Sequence, residues 1–91
     1  MANEETMLTI DYIQDPGHGW IAADASLLDS LGIADKISEY SYQDGPTVWL
    51  EEDCDAPLYL RALSRAGIAY RITETHTRGD AWIRRLPHFG A

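Results

Sequence analysis

The sequence predicts a small α+β domain: a mostly antiparallel sheet with two short helices on one face, in the order β-β-α-β-β-α-β-β. Three observations predict it. Several stretches alternate apolar and polar residues with the period of a strand. Turn-forming sequences join these stretches in pairs. Two further stretches place apolar residues at helical spacing and end on a glycine. Ninety-one residues are one domain's worth, with residues 1–6 and 88–91 expected to be loose.

The first strand is expected over Met7 to Ile13, where Leu8, Ile10 and Tyr12 alternate with Thr9 and Asp11. Asp15-Pro16-Gly17-His18 reads as a turn of type II, with proline presetting φ and glycine taking a positive one. Trp20 to Ala23 is the second strand. Asp24 stands where a side chain caps a helix, Leu27, Leu28 and Leu31 form its stripe, and Gly32 closes it. Ile33 to Ser38 is a connector with room for one more helical turn.

Glu39 to Gln43 and Thr47 to Glu51 flank Asp44-Gly45-Pro46, a hairpin signal. Proline lacks an amide N–H, so a loop of three or four residues is expected there. Tyr40 and Tyr42 then share one face, Val48 and Leu50 share one face, and Trp49 points the other way. Asp53 or Asp55 caps the second helix, with Pro57 in its first turn. Its apolar stripe is Tyr59, Ala62, Leu63 and Ala66, its outer side carries Arg61 and Arg65, and Gly67 ends it. Ile68 to Thr77 alternates as a strand, Arg78-Gly79-Asp80 turns, and Ala81 to Leu86 is a last strand stopped by Pro87.

Charge is the strongest functional signal. The net charge is -8, and it is unevenly spread. Residues 1–55 hold thirteen acids and one base, Lys36; residues 56–91 hold six arginines and two acids. An acidic surface aids solubility. It also steers a protein onto a basic partner and fills a surface built for phosphates. The acidic half repels nucleic acid, so direct nucleic-acid binding through it is excluded. No apolar run is long enough to span a membrane. The acidic start lacks the pattern of a secretory signal, and the lone Cys54 cannot form an internal disulfide, so a cytoplasmic protein is expected.

Glu51-Glu52-Asp53-Cys54-Asp55 is the densest cluster. It lacks the roughly twelve-residue spread and turn glycine of a calcium loop. It also lacks the several Cys or His ligands of a zinc site. Acids there complement the start of the following helix, yet exceed what one helix requires. His18, His76 and His88 have no ligand spacing. No nucleophile elbow, phosphate loop or zinc-protease motif occurs. Acids on both sides of Cys54 disfavour its thiolate. Neither a catalytic residue, a cofactor nor a metal is therefore expected. Trp20, Trp49 and Trp82 suit a core, with Trp49, beside Glu51, the candidate contact hot spot. The expected partner surface comprises Asp44, Trp49, Glu51, Glu52, Asp53 and Asp55.

The strings Asp15-Pro16-Gly17-His18-Gly19-Trp20, Leu31 to Ser38, Tyr40-Ser41-Tyr42-Gln43 and Leu50 to Ala56 resemble small phage and prophage proteins of unassigned function. The resemblance spans positions 8–86 and fits only loosely after Ile83. It implies a mobile-element origin and, by analogy of class, an inhibitor of host defence such as an anti-CRISPR protein. The expected function is an acidic inhibitor that docks on the basic surface of a host protein or ribonucleoprotein complex. The alternatives are a phage structural or regulatory module with mainly apolar contacts, and a small enzyme. A homodimer through an open edge strand or exposed aromatics is also compatible with the sequence.

Overall fold

The computed structural model describes residues 7–90, and its elements are β1 (Leu8–Gln14), β2 (Gly19–Asp24), α1 (Ala25–Ser30), a 3-10 turn (Ala34–Lys36), β3 (Tyr42–Asp44), β4 (Thr47–Glu51), α2 (Ala56–Arg65), β5 (Tyr70–His76) and a second 3-10 turn (Trp82–Arg85). The strands form one sheet in the order β3-β4-β2-β1-β5. Every neighbouring pair is antiparallel except β1 and β5, which run parallel with Leu8 opposite Tyr70 and Gln14 opposite His76. The domain is α+β, as its alternating stretches predict. No helix among the described residues is long and apolar enough to cross a membrane.

Strand alternation sorts the apolar residues onto two faces. Ile10, Ile21, Ala23, Val48 and Leu50 meet Leu28 of α1 and Ala56, Tyr59 and Leu63 of α2. Both helices therefore cover one face. Each ends in a Schellman closure on its glycine. After α1, Ile33 N–H donates to the Leu28 carbonyl and Gly32 N–H to Asp29; after α2, Ile68 donates to Leu63 and Gly67 to Ser64.

The opposite face is also covered. Trp20 and Trp49 lie there under Ala81 and Ile83, with Ile13, Ala22, Tyr42 and Leu86 around them. Trp49 does point away from Val48 and Leu50. It is only 7% exposed, however, so it is a second-layer core residue and not a surface contact. Trp82 packs edge-on against it, with ring centroids 5.1 Å apart.

The cover is the segment expected to be a last strand. Ala81 and Ile83 are buried and Trp82 is exposed, but the backbone turns as a 3-10 helix over Trp82–Arg85. The cause is Asp15. One carboxylate oxygen, Oδ2, accepts from the Ala81 amide at 3.0 Å and from Arg84 Nε at 2.6 Å. The other, Oδ1, accepts from Arg84 Nη2 and from the amides of Gly17 and His18. This carboxylate bends residues 81–84 across the sheet instead of letting them pair with it. It also corrects the turn type. Gly17 has no positive φ, so the turn is not type II; it is an Asx turn held by the Asp15 side chain.

Other local readings need correction too. The hairpin between β3 and β4 has two loop residues, Gly45 and Pro46, because Asp44 pairs directly with Thr47. Gly45 takes φ +59 at the first central position, which suits a type II′ turn and leaves proline at the second, where no ladder amide is needed. The strand expected from Glu39 begins only at Tyr42, and that expected from Ile68 begins at Tyr70. Asp24 occupies the N-cap of α1 without a side-chain capping bond, and the Ala25 amide donates instead to the Pro46 carbonyl. Residues 1–6 and 91, part of the expected loose ends, lie outside the described residues. His88 and Phe89 are held, Phe89 by its backbone N–H donating to the Ser41 carbonyl and His88 by a bridge to Tyr42.

The Asp15 carboxyl is held far below the usual carboxylate range, first by Arg84 and then by the amides of Ala81, His18 and Gly17, against the opposing effect of burial. A carboxyl whose pKa falls on folding stabilises the fold above its unfolded value of about 4 and loses that contribution as pH drops further. Asp15→Asn is expected to cost about 3 kcal/mol at neutral pH, because it leaves the Arg84 guanidinium without its charge partner. The check is urea denaturation of both proteins, where the gap at neutral pH should narrow by about pH 3.

Candidate functional site

The structure gathers several of the singled-out residues around one cleft of about 280 Å³, lined by His18, Trp20, Tyr40, Tyr42, Glu51, Asp53, Cys54, Arg84 and His88. Four chain segments build it. The β1–β2 turn brings His18 and the β2 strand brings Trp20. The approach to β3 brings the tyrosines, the β4–α2 corner brings the acids and Cys54, and the C-terminal segment brings Arg84 and His88.

Each wall has a physical cause. Trp20 is 2% exposed and forms the floor, with the Arg84 guanidinium stacked over its ring at 5.1 Å and Tyr42 edge-on at 6.1 Å. His88 stacks on Tyr42 at 4.7 Å and is fixed by a 2.7 Å contact from Nδ1 to the Glu39 carbonyl. Tyr40 stands at the rim and is 63% exposed. The tyrosines flank Ser41, which is fully buried and pins their loop. Ser41 Oγ donates to Asp55 Oδ2 at 2.5 Å and accepts from the Glu51 amide at 3.0 Å.

The acidic run divides by role. Asp55, expected on the partner surface, is 3% exposed, and its carboxylate accepts from the Ser38 amide, the Ser38 hydroxyl and the Ser41 hydroxyl. It holds the N-cap position of α2, but its side chain makes no capping bond, because it braces the loop before β3. Glu51, likewise expected to be free, is 7% exposed and accepts from the amides of Asp53 and Cys54, so it is the acid that satisfies the corner's backbone. Glu52 is half-buried and accepts from the Tyr12 hydroxyl at 2.9 Å, which helps raise that phenol to about 12 after burial itself. Gly19 permits this closure, since a Cβ there would collide with Glu52 and Tyr12. Asp53 is exposed. Asp44 is exposed as well, but it sits at the β3–β4 turn, at the opposite end of β4 from Glu51, and takes no part in the cleft.

Of the six expected partner residues, the structure thus brings Glu51 and Asp53 into the cleft and leaves Glu52 beside it. His18, Trp20, Tyr40, Tyr42, Arg84 and His88 were not assigned to a site from sequence. The available signal was the aromatic spacing of Tyr40 and Tyr42 next to an acidic run, but nothing local showed that the C-terminus closes the opposite side.

Chemically the cleft suits a cation. His18, Glu51 and Asp53 each offer a ligand atom, and these lie within 4.8 Å of one another, with His18 Nδ1 3.9 Å from Glu51 Oε2. Three such atoms would become a ligand set for a small divalent ion only by closing by more than an ångström, since ligands about 2.1 Å from a tetrahedral zinc lie roughly 3.4 Å apart. The Cys54 thiol, although exposed, is pushed up from its ordinary value first by partial desolvation, then by its bond to Glu51 and by the charges of Glu51, Asp55 and Asp53. A thiol kept protonated is a poor nucleophile.

Charges of the other sign collect elsewhere. A groove between the end of α1 and the face of α2 is lined by Lys36, Arg61 and Arg65 together with Leu31, Ile33 and Leu58. Acids therefore stand at the N-terminal end of α2 and arginines in its last turns. Comparison with known proteins finds no matching family model, no similar curated protein and no similar solved structure.

Two measurements check this division of roles. Asp55→Asn should cost about 1.5–3 kcal/mol in urea denaturation, as expected for hydrogen bonds to a charged acceptor, whereas Asp53→Asn should stay within about 0.5 kcal/mol. In the folded protein Cys54 should react with iodoacetamide more slowly than free cysteine at neutral pH, and Asp53→Asn should speed the reaction.

Proposed function

We propose that this domain is a protein-binding inhibitor that docks its β4–α2 corner on the basic, nucleic-acid-handling surface of another protein. One observation carries the reading. Among the described residues no guanidinium pairs with Glu52 or Asp53, while the Arg84–Asp15 ion pair is internal and Arg61 and Arg65 face a separate groove. The carboxylates at this corner are therefore not cancelled by Arg61, Arg65 or Arg84. An unbalanced acidic corner on a protein of net charge -8 attracts a cationic surface and competes with phosphates for it. The phage resemblance, which rests on the sequence strings alone, favours a host defence complex as the partner.

The burial pattern dictates how to test this. Reversing Glu51 or Asp55 would disrupt the corner itself, so the informative variant is Glu52→Lys with Asp53→Lys. Immobilised wild type is expected to retain a basic nucleic-acid-binding complex from host lysate at low salt and release it at high salt, because exposed charges are screened within about 10 Å. The double variant should retain far less, while its circular dichroism matches wild type. Retention indifferent to both salt and charge reversal would overturn the proposal and favour a module with apolar contacts.

A further inference from the structure

We infer that the cleft is the specificity pocket of this surface and receives one cationic side chain, arginine or lysine, from the partner. The inference rests on the proposed function for the identity of the partner, but the pocket itself stands on four observations.

The first is size. At about 280 Å³ the cleft lies just under the usual range for drug-sized ligands, and it suits a single long side chain. The second is charge. Glu51 is a buried carboxylate whose hydrogen bonds come from backbone amides, and its ion-pair contact among the described residues is with His18 at 3.9 Å, a residue that is charged only when protonated. Asp53 lies exposed beside it, so two carboxylates converge in a cleft whose lining guanidinium, that of Arg84, is already paired with Asp15. The third is the wall. Tyr40, Tyr42 and His88 offer ring surfaces in the same cleft as the acids, and π faces attract ammonium and guanidinium groups. Tyr40 is 63% exposed at the rim, so the interior packing of this domain does not account for it. The fourth is internal precedent. The Arg84 guanidinium already lies on the Trp20 ring with Asp15 as its carboxylate, so this fold demonstrably seats a guanidinium between a ring and an acid. Beside the seated Arg84, the cleft offers a second set of rings and carboxylates, Tyr40, Tyr42 and His88 with Glu51 and Asp53, for a cation supplied from outside. A neutral ligand would leave the Glu51 and Asp53 charges unanswered, and an anion would meet both of them.

The test uses the full chain, labelled for amide NMR, titrated separately with N-acetyl-arginine methylamide, N-acetyl-lysine methylamide and the neutral isostere N-acetyl-citrulline methylamide. Saturable shifts from either cationic probe at residues 18–20, 40–42, 51–54 and 88, with the citrulline probe at least about fivefold weaker, are expected. Tyr40→Ala and Asp53→Asn, both at exposed positions, should each weaken the cationic probe by about two- to fivefold. A zinc titration provides the rival outcome. Zinc saturation of His18, Glu51 and Asp53 with no response to either organic cation would overturn the inference in favour of a metal site. Equal binding of citrulline, or shifts scattered over the acidic surface, would overturn it as well. The lysate capture separates the two claims. If capture keeps its salt and Glu52/Asp53 response while Tyr40→Ala leaves it unchanged and no probe enters the cleft, the pocket falls and the electrostatic docking stands. If capture loses its charge dependence while the probes still bind, the docking falls and the pocket stands.

Discussion

A buried carboxylate, that of Asp15, ties the two ends of this chain together. It sits at the end of β1, reaches 69 positions along the sequence to Arg84, and collects the amides of Gly17, His18 and Ala81 on the way. Taking one charge out of water is costly unless every lone pair is answered, and here five donors answer four sites. The consequence reaches well beyond the turn. Holding Ala81 and Arg84 fixes residues 81–86 over Trp20 and Trp49. That cover turns an open sheet face into a second apolar layer, and the direction in which the chain leaves it carries His88 to the side of Tyr42. Two indole N–H groups, of Trp20 and Trp49, are buried in this layer without partners, a cost that the packing of the layer has to offset.

The second brace works at the other end of the cleft by the same means. Asp55 and Ser41 connect the loop before β3 to the start of α2, and Ser41 in turn takes the first amide of the acidic corner. The two braces use acids whose charge is spent internally. What remains for the surface is smaller than the sequence total suggests, yet better placed. Asp53 and the exposed part of Glu52 stand on a corner whose backbone is held by Glu51, so their positions are set by bonds that do not involve them. A surface charge on a rigid corner loses less freedom when a partner arrives than one on a free loop, which favours recognition over mere solubility.

Much of the fold was legible because it follows from local periodicity. The alternation in Leu8 to Tyr12 and Ile68 to Ile72, the leucine stripe ahead of Gly32 and the stripe ahead of Gly67 each encode an element within a short window, and each element exists. The opposite orientation of Trp49 to its neighbours was legible for the same reason. What failed was long range. Whether Trp49 faces solvent depends on a segment 32 positions further on, and whether that segment pairs as a strand depends on Asp15. The acidic run misled in a related way. By composition its four acids look alike, but Glu51 is the last residue of β4 with an inward side chain, Glu52 is half-buried against Tyr12, Asp55 begins α2 facing a serine-bearing loop, and of the four only Asp53 is fully exposed. Sidedness at a strand-to-helix corner is a property of the corner, and no window of five residues contains it.

The same reasoning explains why the cleft was missed while its acids were noticed. Tyr40 and Tyr42 were expected to share a face of a strand. They share the cleft instead, since the strand starts only at Tyr42 and the bend at Ser41 turns Tyr40 to the rim. Their aromatic surface, the acids of the β4–α2 corner and the imidazoles of His18 and His88 come from four segments with no sequence spacing in common. Lopsided charge thus motivates the proposed basic partner but does not locate its contact. Only the tertiary braces, each built on an acid removed from the surface, determine where on the domain rings and carboxylates meet, which is where the proposed docking places a partner's cation.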